Sequence, residues 1–128
     1  DREQAFKPTA LAWESGTGPS SLFYGLEQSL TLLHSTGAER IEAHLALLSD
    51  RICDGLAGRN HEIVSSRTAG ERSQIVCVKH RGGLTSNQIA TTLQENNVIV
   101  SPRGDRLRIA PHFYNNGSDI DRLLAAMP

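Results

Sequence analysis

Hydrophobic positions along the chain switch between a spacing near 3.6 and a spacing of two, and the switches predict eight elements. Leu22, Leu26, Leu30 and Leu33 fall on one stripe, which predicts a helix from Pro19-Ser20 to about Ser35, with Phe23 and Tyr24 off it. Thr36-Gly37-Ala38-Glu39 has capping-box spacing and opens a second helix, whose buried face is marked by Ile41, Leu45, Leu48, Ile52 and Leu56. Gly58, free to take positive φ, stops it. Strand patterns follow at His61 to Ser65 and Gln74 to His80, divided by the polar stretch from Ser66 to Arg72. Ile75, Val76, Cys77 and Val78 are consecutively apolar, so the second strand is expected to be central in a sheet covered on both sides, or packed between the sheet and a partner domain.

Thr85-Ser86-Asn87-Gln88 repeats the capping-box spacing ahead of a helix through Ile89, Ala90 and Leu93 to about Asn96. Val98 to Ser101 and Arg106 to Ala110 then form a hairpin around the four residues Pro102 to Asp105. That loop length sets Val100 opposite Leu107, Val98 opposite Ile109 and Arg108 opposite Ile99. Ser118 or Asn116 caps a last helix carrying Ile120, Leu123, Leu124 and Met127.

The order ααββαββα predicts an α+β domain: a small antiparallel or mixed sheet of three to four strands, with helices mainly on one face. It is not the βαββαβ order of a ferredoxin-like module. Residues 1–18 hold Pro8, Gly16 and Gly18 without sustained periodicity and read as an extended lead-in to a domain over 19–128. The chain opens at Asp1 without methionine, which suggests a piece of a longer protein.

Composition narrows the functions available. At 128 residues, 38% hydrophobic and 21% charged, the chain can fold around one core without disulfide or metal. A formal charge of -1, with no aromatics interleaved among the arginines, argues against nucleic-acid binding. No apolar run has membrane-spanning length and no signal-peptide pattern occurs, so a cytoplasmic setting is expected. Cys53 and Cys77 lack a CxxC spacing and read as buried reduced thiols. His34, His44, His61, His80 and His112 include no ligand-pair spacing, and no metal site is expected.

Two places carry candidate chemistry. In Arg106-Leu107-Arg108-Ile109-Ala110 strict alternation throws two guanidiniums to one face and two aliphatics to the other. Arg108 is therefore either a solvating charge on an edge strand or a fork for an anion. Arg106 sits at the loop, where solvent contact is expected. Gly16-Thr17-Gly18, just before a helix, is either an ordinary turn or a phosphate cradle of backbone N–H groups and a hydroxyl.

Taken together, Glu14-Ser15-Gly16-Thr17-Gly18-Pro19, Gly37-Ala38-Glu39-Arg40-Ile41-Glu42-Ala43-His44, and Leu107-Arg108-Ile109-Ala110-Pro111-His112-Phe113-Tyr114-Asn115 before Asp119-Ile120-Asp121-Arg122-Leu123 resemble a known family. The chain looks like the C-terminal small domain of class V aminotransferases, the fold type I pyridoxal-phosphate enzymes that include cysteine desulfurases, kynureninases and isopenicillin N epimerase-like proteins. The resemblance implies that Arg108 grips the α-carboxylate of an amino-acid substrate. It implies that Gly16 and Thr17 belong to the site of pyridoxal 5'-phosphate, Thr17 reaching the phosphate in the neighbouring subunit of a homodimer. The family's Schiff-base lysine belongs to an N-terminal large domain. Only Lys7 and Lys79 occur here, and neither matches it, so no catalytic residue is expected in this chain and the chain alone is expected to be inactive. Cysteine desulfurases carry a sulfur-accepting cysteine in the connection matching 102–105, which here has none; desulfurase activity is disfavoured. The alternative is a free-standing α+β interaction or ligand-binding module without catalytic activity.

Overall fold

A computed structural model describes residues 8–13 and 16–128. The chain divides into two compact units, one ending at Thr36 and one spanning Gly37–Pro128. In the first, a short 3-10 turn at Thr9–Trp13 interrupts the lead-in that the sequence pattern reads as extended. Helix α1 follows at Ser20–Thr36. Its stripe residues Leu22, Leu26, Leu30 and Leu33 are all exposed.

The second unit begins at Gly37, whose φ of 90° is a backbone that side-chain-bearing residues rarely adopt, and α2 runs over Ala38–Leu56. The capping box expected at Thr36 to Glu39 does not form. Thr36 is still inside α1, and its hydroxyl donates to the Leu32 carbonyl at 2.8 Å instead. Strands β1, His61–Ile63, and β2, Val76–His80, are each shorter at their Ser65 or Gln74 end than expected. Helix α3, Ser86–Glu95, starts with the expected box: the Thr85 side chain accepts from the Gln88 N–H while the Gln88 side chain accepts from the Thr85 N–H. Strands β3, Ser101–Arg103, and β4, Arg106–Ile109, lead to α4, Gly117–Ala126. Of the two candidate caps, Asn116 is the one used, in a box with Asp119.

The four strands form one antiparallel sheet in the order β1-β2-β4-β3. Val76, Val78, Leu107 and Ile109 project from its centre into a core with Leu48, Ile52 and Leu56 of α2, Ile89 and Leu93 of α3, and Ile120 and Leu123 of α4. The α+β class and element order are those the spacing predicts. Among the described residues the central strand is covered on one face: Val76 and Val78 are buried, whereas Cys77 between them is half-buried and Lys79 exposed. Both cysteines are free and half-buried, not fully buried.

The hairpin register differs from expectation. Ser101 faces Arg108, Pro102 faces Leu107 and Arg103 faces Arg106, so the connection is Gly104-Asp105 alone. Gly104 takes φ of 59°, which allows the tight turn. Upstream, α3 ends in a Schellman motif, with Asn97 at φ of 59° and the Val98 N–H bonded to the Leu93 carbonyl, so Val98 to Val100 serve as the return path from α3. The shift is two residues, an even number, and Arg108 keeps its face.

Candidate functional site

Arg108 lies in β4 between Leu107 and Ile109, which are 1% and 4% exposed on the helix-covered face. Alternation thus sends its side chain to the opposite face, with Cys77 of β2 and Ser101 of β3 as its cross-strand neighbours. The residue is half-buried, and its Nε is buried without a hydrogen-bond partner among the described residues. Five other cations are paired, Arg51 with Asp121, Arg67 and Arg72 with Asp50, and Lys79 and Arg106 with Asp105, while Arg40, Arg59, Arg81, Arg103 and Arg122 are in no ion pair among the described residues but, unlike Arg108, bury no partnerless nitrogen there. Arg108 is in no ion pair among the described residues. A desolvated charged donor without an acceptor costs free energy, which an incoming carboxylate would recover.

The hairpin tip keeps its charges to itself. Lys79 Nζ donates to Asp105 at 2.9 Å, and that hydrogen bond, with the ammonium charge behind it, holds the Asp105 carboxyl below the usual carboxylate range. Arg106 Nε lies 3.6 Å from the same carboxylate. Arg106 therefore solvates the loop, as its position in the sequence suggests.

Beyond Ile109 the chain turns through Pro111 and closes on itself. The His112 N–H donates to Asn115 Oδ1 at 2.8 Å, and the Asn115 N–H donates to the His112 carbonyl at 2.9 Å. Asn115 Nδ2 reaches Asp119 Oδ2 at 3.3 Å, tying the turn to the cap of α4. From α2, His44 Nε2 lies 2.8 Å from the Asn115 carbonyl oxygen. A carbonyl only accepts, so Nε2 carries the proton. The rings of His112 and Tyr114 stack at 4.5 Å, with Tyr114 exposed.

Gly16 and Thr17 belong to the other unit, exposed, just ahead of α1. The Ser20 N–H turns back to the Gly18 carbonyl at 2.8 Å, and a methyl group built on Gly16 would meet nothing within 4 Å. The backbone is thus open to close approach, as a phosphate cradle requires. Glu14 and Ser15 lie outside the described residues.

Folding also joins residues the sequence pattern left apart. His61 and His80 face each other across β1 and β2 with ring centroids 5.1 Å apart. Among the described residues no group of three or more His, Cys, Asp or Glu side chains could hold a metal ion, and no helix is long and apolar enough to cross a membrane. His44 had one sequence signal: it stands three residues after Ile41 and four before Leu48, a polar residue on the apolar stripe of α2.

An open four-stranded antiparallel sheet backed by helices, with an arginine on its free face that is in no ion pair among the described residues, defines an α+β domain. The aminotransferase class-V family model matches residues 2–123, and the chain belongs to that family. An uncharacterised aminotransferase of Bacillus subtilis (strain 168), YcbU, is 23% identical over 116 residues, covering 91% of this chain and 30% of that protein. The apo cysteine desulfurase of Thermococcus onnurineus NA1 has a similar fold, with a TM-score of 0.81 at 20% identity over 91% of this chain and 32% of its own. The Escherichia coli cysteine desulfurase CsdA gives 0.77 at 22% identity, over 88% and 31%. The cystine C–S lyase C-DES, solved with its product cysteine persulfide, gives 0.77 at 21%, over 89% and 30%. A C-DES variant of the same similarity carries glycine covalently linked to its PLP cofactor. The chain therefore spans about a third of the length of these relatives.

Proposed function

We propose that this chain is the C-terminal small domain of a pyridoxal-phosphate-dependent, aminotransferase-like enzyme. In this reading Arg108 holds the substrate's α-carboxylate, and Gly16 and Thr17 form part of the phosphate site of a cytoplasmic homodimer. The observation that carries it is the buried, partnerless Nε of Arg108 on the sheet face that the helices leave open. A planar guanidinium takes a carboxylate through two parallel hydrogen bonds, fixing orientation as well as affinity. The exposed Thr17 and the open backbone at Gly16 fit a phosphate group, whose cofactor would supply the electron sink for chemistry at the amino acid's α-carbon.

This chain's part is to bind and orient. It contains two lysines: Lys7 in the lead-in, too close to Thr17 for the family's cofactor-bearing position, and Lys79, which is bonded to Asp105. The reacting lysine is assigned to a preceding large domain, consistent with the fraction of its relatives that the chain spans. Several structural neighbours are desulfurases, yet Gly104-Asp105 and its flanking strands β3 and β4 hold no cysteine, which favours an aminotransferase-like reaction over sulfur transfer.

In the complete enzyme, Arg108→Ala should lower kcat/KM for amino acids by roughly 30- to 150-fold, the loss of about 2 to 3 kcal/mol of charge-assisted binding. Arg108→Lys should recover only part of it, since an ammonium lacks the planar fork. Unchanged kcat/KM in the alanine variant, measured at equal thermal stability, would remove the assignment.

A further inference from the structure

We propose that His44 is a positioning residue for Arg108, latching the turn after β4 to α2 so that the guanidinium meets a carboxylate in one orientation. The inference rests on the carboxylate role of Arg108. It starts from where Arg108 stands in the sheet. β3 pairs with β4 only through Ser101, Pro102 and Arg103, opposite Arg108, Leu107 and Arg106. Arg108 is thus the last rung on the β3 side, and beyond it only β2 continues, through the pair Val76 and Ile109. A strand whose ladder stops at the functional residue needs its exit fixed by other means.

The exit is fixed by the turn from His112 to Asn115, four residues past Arg108 at its start. Every polar group of Asn115 is engaged: its N–H and Oδ1 with His112, its Nδ2 with Asp119, and its carbonyl with His44. The first three bonds close the turn and join it to α4. The bond from His44 is the one that reaches α2, across 71 positions of sequence. The imidazole Nε2 donates in the neutral tautomer and in the cation alike, so the latch holds in either charge state. A bidentate fork tolerates little displacement, and a shift of about 1 Å far from the reacting atoms can cost a hundredfold in rate.

The test uses the complete holoenzyme with L-alanine and L-alaninamide as probes, which differ in the carboxylate alone, and reads binding from the absorbance of the cofactor. His44→Leu should weaken L-alanine on the order of tenfold and leave L-alaninamide unchanged. His44→Gln, which keeps a donor at the same reach, should restore L-alanine binding to within about twofold. Hydrogen exchange should speed at the Asn115 and Asn116 amides in the leucine variant and stay unchanged in the ladder between β2 and β4. The inference is overturned if the leucine variant weakens both probes equally, if it weakens neither, or if glutamine fails to restore binding. Arg108→Ala is the control. If it separates the probes and His44→Leu does not, the latch alone fails. If it does not separate them, the carboxylate role of Arg108 fails and the latch with it.

Discussion

Arg108 and His61 both bury polar nitrogens without hydrogen-bond partners among the described residues, but of the two only Arg108 lies on the sheet face opposite the core. His61 projects to the covered side, 4% exposed, edge-on to His80. Burial lowers its pKa, and the His80 and Arg59 charges lower it further. A histidine with a depressed folded-state pKa takes up protons on unfolding, so its contribution is complete above the unfolded value near 6.5 and declines as pH falls below it. His80 is held in place beside it, its Nδ1 accepting the N–H groups of Gly82 and Leu84 at 3.1 and 3.3 Å. Thermal melts should therefore show stability falling between pH 7 and 5.5, and His61→Phe should flatten that slope. An equal slope in both proteins would count against the buried imidazole as its source.

At the scale of elements, ends matter more than middles. The Asn116 side chain accepts from the Ser118 and Asp119 N–H groups at 2.9 and 3.3 Å, while Asp119 accepts from the Asn116 N–H at 3.0 Å. That backbone hydrogen bond, helped by Asn115, lowers the pKa of Asp119, so its contribution is present above an unfolded value near 3.9 and lost as pH falls through the folded one. This acid window lies well below that of His61, and the two are separable in one titration. Asn116→Ala should destabilise the fold by about 1 kcal/mol, read as a shift in urea midpoint without a change in slope. The cap at Thr85 was legible because hydroxyl and glutamine stand three apart beside an apolar run. The same spacing at Thr36 misled, because α1 runs one residue further and consumes the hydroxyl. Hairpin register was misjudged by two residues: pattern fixes which face a side chain takes, but not whether Gly104 will close a two-residue turn.

Across the whole molecule, Gly37–Pro128 has its own core, with Ile52, Val76 and Leu93 fully buried, while α1 exposes its leucines. The 128-residue chain should fold cooperatively through that unit and, under the proposed function, give no turnover when mixed with pyridoxal 5'-phosphate and amino acids, because neither of its lysines, Lys7 and Lys79, is assigned the reacting role. Turnover by the chain alone, followed as release of the oxo acid, would refute the division of labour proposed here.

The candidate site was half legible. Arg108 could be singled out as a candidate because a cation alternating with aliphatics is a local pattern, and Thr17 because glycines flank it ahead of a helix; their roles rest on the proposed function. The His44 contact with Asn115 and the pairing of His61 with His80 could not be found that way, since each joins distant stretches of chain. By itself the sequence determined the α+β class, the order of the main helices and strands and the face that Arg108 takes, because periodicity and composition are local and additive. Tertiary structure alone decided which strands neighbour β2, which rung Arg108 occupies, and that its Nε has no acceptor among the described residues, because packing and desolvation exist only once distant residues share one core.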